Sequence, residues 1–413
     1  PSVPPSDDGR AMTTIDETPA PPVQQTAFAI LVAIGLCHML NDIMQSLLAA
    51  IYPMLKEDFA LDYGQIGLLT LAFQVTASLL QPVVGIFTDR KPLPNSLPIG
   101  MGSTFCGLIL LAFAPTYALL LLGAALIGVG SAVFHPEASR VARMASGGRY
   151  GLAQSLFQVG GNFGTAIGPL LAAFIVVPLG RPSVAAFCLI AAIGILILTR
   201  VSRWYGAALA VGRGRKAADR TLPLPRGRIA TALVVLAFLT FSKNIYTASI
   251  ASYYTFYLIE TFALTTQQSQ MMLFLFLAAM AAGTILGGPV GDRFGALTVI
   301  WVSILGVLPF TLALPHADLF WTGVLSVIIG LILASAFPAI VVFAQELLPG
   351  RVGMVAGIFF GFAFGMGGIA AAVLGVLADR YGIDLVYRIC AWLPAMGLLT
   401  VFLPSRRSLR AMG

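Results

Sequence analysis

Charged residues are scarce in this sequence. Aspartate, glutamate, lysine and arginine make up only 10% of the 413 residues, whereas 58% are hydrophobic. Soluble globular domains carry about 25% charged residues, and a water-soluble fold of this length could not bury so much apolar surface. The composition therefore excludes an ordinary soluble protein and predicts a chain that crosses a membrane several times.

Metal-binding and disulfide-forming residues are few as well. There are three histidines, and the four cysteines are scattered through apolar segments with no closely spaced pair. The short cysteine spacings typical of zinc sites are missing, and so is the Gly-x-x-x-x-Gly-Lys-Ser/Thr loop that binds nucleotide phosphates. We therefore expect no metal, no cofactor and no disulfide framework, and any transport must be driven by an ion gradient.

Apolar runs divide the chain. Twelve of them are about 20 residues or longer, which is enough for a helix to cross a bilayer. They lie at 26–52, 63–88, 95–114, 116–144, 150–177, 183–202, 228–258, 268–291, 296–315, 318–346, 351–378 and 384–404. This predicts an all-α membrane protein with twelve transmembrane helices. The polar, proline-rich residues 1–25 are expected to form a disordered tail without a cleavable signal peptide.

The net charge of +7 is also typical of nucleic-acid-binding proteins, but the basic residues are unevenly placed. They concentrate in the loops after even-numbered runs, in segment 203–227 and in the tail at 405–413. An excess of lysine and arginine marks cytoplasmic loops. We therefore expect no nucleic-acid partner, cytoplasmic termini, and a basic cytoplasmic linker at 203–227.

The two halves of the chain repeat at a nearly constant spacing of 202 or 203 residues. The matching pairs are Gly85-x-x-x-Asp89-Arg90 with Gly288-x-x-x-Asp292-Arg293, Arg149-x-Gly151 with Arg351-x-Gly353, and Pro136 with Pro338. Each half holds six runs, so both repeats begin on the same side of the membrane. This predicts two six-helix bundles, 26–202 and 228–404, related by a pseudo-twofold axis along the membrane normal, with a central site between them.

The first run carries a polar stripe. His38, Asn41, Asp42 and Gln45 are spaced i, i+3, i+4 and i+7, which places them on one face of a helix. An ionisable side chain at membrane depth is costly and marks a functional site by default. We predict that Asp42 takes up a proton and that all four contact a substrate. For Asp42, Asn41 and Gln45, hydrogen bonds between helices without a functional role are the alternative.

The repeat places the seventh run opposite the first. One broad stripe of this run contains Lys243, Tyr246 and Tyr254, all three of which we expect to bind the substrate. A buried ammonium facing a buried carboxylate predicts an ion pair between Lys243 and Asp42. This pair would either switch during transport or hold the two halves together.

The fifth run presents two amides, Gln158 and Asn162, at a spacing of i and i+4. This spacing places both on one helix face, so we predict that they line a polar cavity and bind the substrate. Gln154 and Arg143 lie near the ends of their runs, where we expect solvent or the membrane interface.

The fourth run contains three titratable side chains around a proline, namely His135, Glu137 and Arg140. The proline is expected to kink the helix. All three are candidates for proton coupling. His135 is one because histidine titrates near physiological pH, and the other two because they can exchange or hold charge beside it. Two alternatives stay open: Glu137 and Arg140 form only a local pair, and His135 makes only a hydrogen bond in the core.

The repeated Gly-x-x-x-Asp-Arg motif resembles the loop motif of the major facilitator superfamily. In that family the aspartate braces the contact between the two bundles, so the resemblance implies a gating role for Asp89, Arg90, Asp292 and Arg293. Gly164-x-x-x-Gly168-Pro169 in the fifth run resembles a motif of drug–proton antiporters in the same superfamily.

Longer strings resemble bacterial antibiotic-resistance members of that superfamily, among them His38-x-Leu40-Asn41-Asp42 and Phe134-His135-Pro136-Glu137. This resemblance implies proton-driven efflux of small anionic phosphonate antibiotics, by alternating access, across the inner membrane of a Gram-negative cell. The expected partners are protons, a small anionic drug and the lipid bilayer, and the expected state is a monomer. The alternatives are a transporter of an endogenous sugar or organic phosphate, a uniporter without proton coupling, and a membrane enzyme or receptor.

Overall fold

The computed structural model describes residues 26–61, 63–213, 222 and 224–404, and these residues form helices and connecting turns without any β-strand. The predicted tails at 1–25 and 405–413 lie outside the described residues, as does most of 214–223. The expectation of an all-α membrane protein is confirmed, because the described residues contain eleven helices long and apolar enough to span a bilayer and one further apolar helix.

The twelve main helices are labelled in chain order. They are α1 Phe28–Ala50, α2 Tyr63–Arg90, α3 Ser96–Phe113, α4 Tyr117–Ala145, α5 Tyr150–Leu171, α6 Phe187–Arg213, α7 Arg226–Phe262, α8 Thr266–Phe294, α9 Ala296–Ile304, α10 Leu319–Leu347 with a two-residue break after Leu333, α11 Val352–Tyr381 and α12 Ile383–Cys390. Short helical segments extend several of these helices, including Tyr52–Asp58 after α1 and Leu393–Phe402 after α12.

Part of the predicted linker is helical. α6 continues to Arg213, and α7 already begins at Arg226, so both ends of segment 203–227 belong to helices. The reason is composition: residues 207–210 are three alanines and a leucine, which are good helix formers. The prolines of the segment, which end helices, come only later, at positions 223 and 225.

The proline of the fourth run does not interrupt its helix. α4 is continuous from Tyr117 to Ala145 with Pro136 inside it. The helix therefore carries His135, Glu137 and Arg140 on consecutive turns of one element, which fixes their relative positions.

The two halves meet through two matching helix pairs. α2 packs on α11, and α5 packs on α8. Glycines allow the close approach, because a Cβ at Gly85 would collide with the carbonyl of Gly353, and one at Gly288 would lie 2.7 Å from the carbonyl of Gly151. All four glycines lie on the side of the protein where the Asp-Arg motifs end α2 and α8 and where α5 and α11 begin. We call this side the motif end, and it is the end that we expect to face the cytoplasm.

We predict that Gly85→Ala destabilises the protein, because its new methyl group meets the α11 backbone. Overpacking of this kind costs about 1–3 kcal/mol. The matched control is Gly102→Ala, since a Cβ at Gly102 meets nothing within 4 Å. Thermal unfolding of the two purified variants measures the difference, and equal melting temperatures would contradict the tight α2–α11 contact.

Candidate functional site

Three titratable side chains from α1 and α4 converge inside the first half. Nε2 of His38 lies 3.4 Å from a carboxylate oxygen of Asp42, and Nε2 of His135 lies 3.8 Å from the other. The two Nε2 atoms are 3.2 Å apart. None of the three residues is more than 6% exposed. We call this group the His–Asp cluster.

Close packing of α5 against α1 encloses the His–Asp cluster. A Cβ at Gly161 would lie 2.6 Å from Nε2 of His38 and 2.8 Å from a carboxylate oxygen of Asp42. One turn before Gly161, the Phe157 ring stacks on the His38 ring at 4.0 Å between centroids. The glycine-rich face of α5, which contains the antiporter-like motif, therefore serves to bring its backbone against the cluster.

Backbone carbonyls fix the tautomers of both histidines. Nδ1 of His38 lies 2.7 Å from the carbonyl oxygen of Phe157, and Nδ1 of His135 lies 2.9 Å from that of Ser131. A carbonyl oxygen can only accept, so each Nδ1 must carry the hydrogen. In a neutral imidazole Nε2 then bears a lone pair. A hydrogen bond between the two Nε2 atoms therefore requires one additional proton, whose charge the carboxylate of Asp42 balances.

The same three donors are close enough to share a metal ion. Their ligand atoms all lie within 4.8 Å of one another. The Nδ1–H of each histidine donates to a backbone carbonyl, as in metal-bound histidines. This capacity was not expected from the sequence, where the two histidines are 97 residues apart.

Two amides complete the surroundings of Asp42. Nδ2 of Asn41 and Nε2 of Gln45 donate to the same carboxylate oxygen at 3.1 and 2.9 Å. The polar stripe of α1 thus forms one hydrogen-bonded unit, as its spacing predicted. In this conformation its side chains turn toward Asp42 and are buried.

The predicted ion pair between Asp42 and Lys243 is wrong for this conformation. A series of contacts through two phenylalanine rings of the second half leads from Lys243 to His135 of the cluster. Nζ of Lys243 is 5.8 Å from the Phe337 ring, which contacts the Phe360 ring at 5.0 Å, and Phe360 contacts His135 at 5.2 Å. We call Phe337 and Phe360 the aromatic layer.

Lys243 is held near the contact between the halves by its neighbour. Its ammonium group donates to Oδ1 of Asn244 at 3.4 Å, and among the described residues no carboxylate forms an ion pair with it. Nδ2 of Asn244 is buried without a hydrogen-bond partner there. Asn244 was not predicted as a site residue, although it stands 202 residues after Asp42 and so occupies the equivalent position of the repeat.

The amides of α5 reach the second half. Nε2 of Gln158 donates to Oδ1 of Asn162 at 3.3 Å, and Nδ2 of Asn162 lies 3.4 Å from the hydroxyl of Thr284 on α8. The structure therefore brings these two predicted residues together at the contact between the halves.

Tyr246 and Tyr254 do not line the contact between the halves. Both are buried in the core of the second half, where Tyr254 packs against Tyr257 and Tyr387 and lies 3.4 Å from the carbonyl of Thr322. Their contact with a substrate stays a prediction. A stripe of aromatic residues at helical spacing is also what a helix presents to a core, so the tyrosines of α7 are compatible with core packing.

At the motif end, Asp89 joins the halves. Its carboxylate accepts hydrogen bonds from the amides of Gly353 and Met354 at 3.0 and 2.8 Å, which places a negative charge at the start of α11. Nη2 of Arg140 lies 2.5 Å from the same carboxylate. We call Asp89, Arg140 and the two amides the first latch.

Arg140 also binds Glu137. Its Nη1 lies 2.6 Å from the Glu137 carboxylate, and the hydroxyls of Ser96 and Tyr205 lie 3.3 and 3.5 Å from it. The local pair is therefore formed, and through Asp89 it belongs to the first latch. Glu137 and the His–Asp cluster face different neighbours, so no direct contact supports a relay between them.

Asp292 joins the halves a second time. Its carboxylate accepts hydrogen bonds from the amides of Gly151 and Leu152 at 2.7 and 3.0 Å, at the start of α5. We call these residues the second latch. Arg90 and Arg293 are exposed at the ends of α2 and α8, and Arg293 lies over the Phe294 ring at 5.3 Å. The structure thus places both predicted gating aspartates at the contact and both arginines outside it.

A third polar contact at the motif end was not predicted. Nε2 of Gln345 on α10 donates to the hydroxyl of Ser139, which in turn donates to Oε1 of Gln154. Nη1 of Arg143 donates to Oε1 of Gln345 at 3.2 Å. Gln154 is only 3% exposed, so the expectation that it faces solvent is wrong. Arg143 and Gln345 are 202 residues apart, and equivalent positions meet only near a symmetry axis, so the repeat itself could have indicated this pair.

Comparison with known proteins identifies the family. Residues 34–372 match the model described as Major Facilitator Superfamily. The chain belongs to the major facilitator superfamily. It is therefore a membrane-embedded transporter of a small molecule, and the expectation that it is not an enzyme agrees with the family and with its relatives.

Two relatives are similar over nearly their whole length. The chain is 61% identical over 383 residues to the fosmidomycin resistance protein of Escherichia coli (strain K12), covering 93% of this chain and 94% of that protein. It is 42% identical over 391 residues to the uncharacterized MFS-type transporter YfnC of Bacillus subtilis (strain 168), covering 93% and 95%. The resemblance to bacterial resistance members of the superfamily is confirmed.

Solved structures support the fold alone. The E. coli fucose:proton symporter FucP (N162A) superposes with a TM-score of 0.70 at 16% identity, covering 92% of this chain and 100% of that one. The human organic anion transporter MFSD10 superposes with a TM-score of 0.71, also at 16% identity and with the same coverage. At such low identity the likeness concerns the arrangement of helices and not the transported molecule.

The two latches predict unequal effects of the same substitution. Asp89→Asn should cost about 3 kcal/mol, because it removes one partner of a buried ion pair. Asp292→Asn should cost about 1 kcal/mol, because it removes only the interaction of a charge with a helix start. Denaturation of both purified variants measures the difference. A larger loss in Asp292→Asn would contradict the role of Arg140 in the first latch.

Proposed function

We propose that this transporter is a proton-coupled antiporter that exports small anionic phosphonates such as fosmidomycin across the bacterial inner membrane. The observation that carries the proposal is the His–Asp cluster, since its geometry requires one proton that an acidic environment can supply. The 61% identity to a fosmidomycin resistance protein supports the choice of substrate class.

The His–Asp cluster is the proposed proton site. With its proton, it contains one imidazolium, one neutral imidazole and the carboxylate of Asp42, so its charges balance. Without the proton, the two Nε2 lone pairs and the carboxylate face one another in an apolar surrounding, where acceptors that face acceptors are unfavourable. Release of the proton therefore favours a rearrangement of α1 against α4. Such a two-state element is what couples proton movement to a change of conformation.

Lys243 is the proposed anchor for the negative group of the substrate. Its ammonium lies near the contact between the halves and is held by an amide oxygen of Asn244. A phosphonate would replace this weak contact with a charge-assisted hydrogen bond, which is stronger than a neutral one. The amides of Gln158 and Asn162 lie on the opposite half and are positioned to orient the rest of the molecule.

The latches give the proposed cycle its closed state. Both aspartates bind helix starts of the opposite half at the motif end, so a substrate leaves from the other end in this conformation. α4 carries His135 of the proton site and Arg140 of the first latch within five residues, so a movement of α4 reaches both. Opening of the motif end then requires that Asp89 and Asp292 release the amides of α11 and α5.

Transport of an endogenous anionic metabolite is a second candidate. The observation in its favour is that an ammonium recognises negative charge and not the phosphonate group itself. Counterflow in proteoliposomes discriminates the two, with fosmidomycin, sugar phosphates and neutral sugars as competitors. Faster counterflow of a sugar phosphate than of fosmidomycin would make drug export incidental.

We predict that Asp42→Asn abolishes fosmidomycin transport driven by a pH gradient in proteoliposomes, because an amide holds no exchangeable charge for the cluster. Downhill transport without a gradient should continue. Asp58→Asn, at an exposed position after α1, is the matched control and should behave as wild type. Gradient-driven transport by Asp42→Asn at the wild-type rate would exclude this carboxylate as the coupling group.

We predict that Lys243→Ala weakens fosmidomycin binding roughly 10- to 100-fold, the loss expected for a hydrogen bond to a charged group. Lys243→Arg should retain part of the affinity, since it keeps the charge. Lys91→Ala, an exposed lysine beyond α2, is the control. Titration calorimetry on purified protein gives the dissociation constants, and unchanged affinity in Lys243→Ala would refute the assignment of the anchor.

A further inference from the structure

The two latches occupy equivalent positions of the repeat. Asp89 binds the amide of Gly353 at the start of α11, and Asp292 binds the amide of Gly151 at the start of α5. Gly151 and Gly353 are 202 residues apart, and the two aspartates are 203 residues apart. The same carboxylate-to-amide geometry therefore occurs twice, once in each direction between the halves.

The latches differ in their cation. In the first latch, Arg140 of α4 pairs with Asp89 and Glu137. The positions 202 residues later on α10 are Val342 and Ala339, which carry no charge. Within the part of the chain that the structure describes, Asp292 forms no ion pair.

A cavity lies where the repeat would place the second guanidinium. Its volume is ≈ 270 Å³, and Gly151, Asp292, Ala339 and Val342 all line it. Each of these residues is the repeat equivalent of a residue of the first latch or of its partner Glu137. The shorter side chains of α10 thus leave a space beside Asp292 where α4 inserts Arg140 beside Asp89.

A second observation points to a ligand in this cavity. Ser155 also lines it, is only 1% exposed, and its hydroxyl has no hydrogen-bond partner among the described residues. Glu346 contributes another carboxylate to the lining, but it also interacts electrostatically with Arg143. Asp292 is therefore the acid on which a cation in this cavity would depend.

We propose that this cavity binds a small organic cation of the guanidinium type, which takes the place of Arg140 in the second latch. Planar N–H groups suit a carboxylate in a way that a spherical ion does not. One edge of the cation would donate to Asp292, and another would reach the hydroxyl of Ser155. The bound cation strengthens the second latch and so stabilises the conformation that is closed at the motif end.

The test uses guanidinium chloride at low millimolar concentration as the probe and urea as its neutral counterpart of the same shape. Ionic strength is held constant with sodium chloride. Thermal unfolding of the purified full-length chain in detergent is followed with each solute. At about ten times the dissociation constant, guanidinium should raise the melting temperature by about 2 °C, whereas urea should not. An equal response to both solutes would overturn the proposal.

Variants of the two latches locate the effect. Asp292→Asn should weaken guanidinium binding about tenfold, because it removes the charge from the acceptor. Asp89→Asn, the same substitution in the first latch, should retain the full guanidinium response. If both variants respond alike, the stabilisation does not come from this cavity. Ser155→Ala should raise the dissociation constant for guanidinium by less than Asp292→Asn does. An unchanged dissociation constant in Ser155→Ala would show that the hydroxyl does not contact the cation.

Supplying the cation covalently tests the same idea without a probe. Val342→Arg should raise the melting temperature in the absence of guanidinium and abolish the response to it. Val342→Gln, of similar length but without charge, should not raise it. If Val342→Arg fails to fold, the Asp292→Asn and Asp89→Asn titrations still decide the proposal. Stabilisation by Val342→Gln equal to that by Val342→Arg would show that filling the space, and not the charge, is what matters.

Discussion

The close approach of His38 and His135 beside Asp42 is the interaction on which the rest of the site depends. Two carbonyls fix the rings so that both Nε2 atoms face each other and the carboxylate of Asp42. At a site open to solvent, water would hydrate these polar groups. Here α5 seals one side with a glycine-rich face, and the aromatic layer of the second half seals another. The His–Asp cluster is therefore enclosed by contacts that involve both halves.

The His–Asp cluster and the first latch share α4, so one helix connects the two sites. His135 and Arg140 lie within two turns of one continuous helix, although each faces a different neighbour. Because packed helices move as units, we expect that any shift of α4 at the His–Asp cluster also displaces the guanidinium at Asp89. The glycine contacts between α2 and α11 keep this coupling short, since backbones that nearly touch transmit small displacements.

Local pattern predicted most of the architecture, because helix length, the repeat offset and the polar stripe of α1 are properties of the chain itself. The same stripe predicted that His38, Asn41 and Gln45 would accompany Asp42. It did not predict the place of Lys243, which is linked to the cluster by contacts of two phenylalanine side chains from α10 and α11. Tyr254 likewise entered a core that depends on α12. Such contacts between distant segments follow from packing, which periodicity alone does not contain.

The unequal latches have a consequence for how the halves part. The seam between α2 and α11 is held by backbone amides and a guanidinium, whereas the seam between α5 and α8 is held at Asp292 by amides alone. A strain that pulls both seams equally breaks the less reinforced one sooner. If the halves separate at the motif end, we expect the separation to start along α5 and α8, with the α2–α11 contact as the hinge.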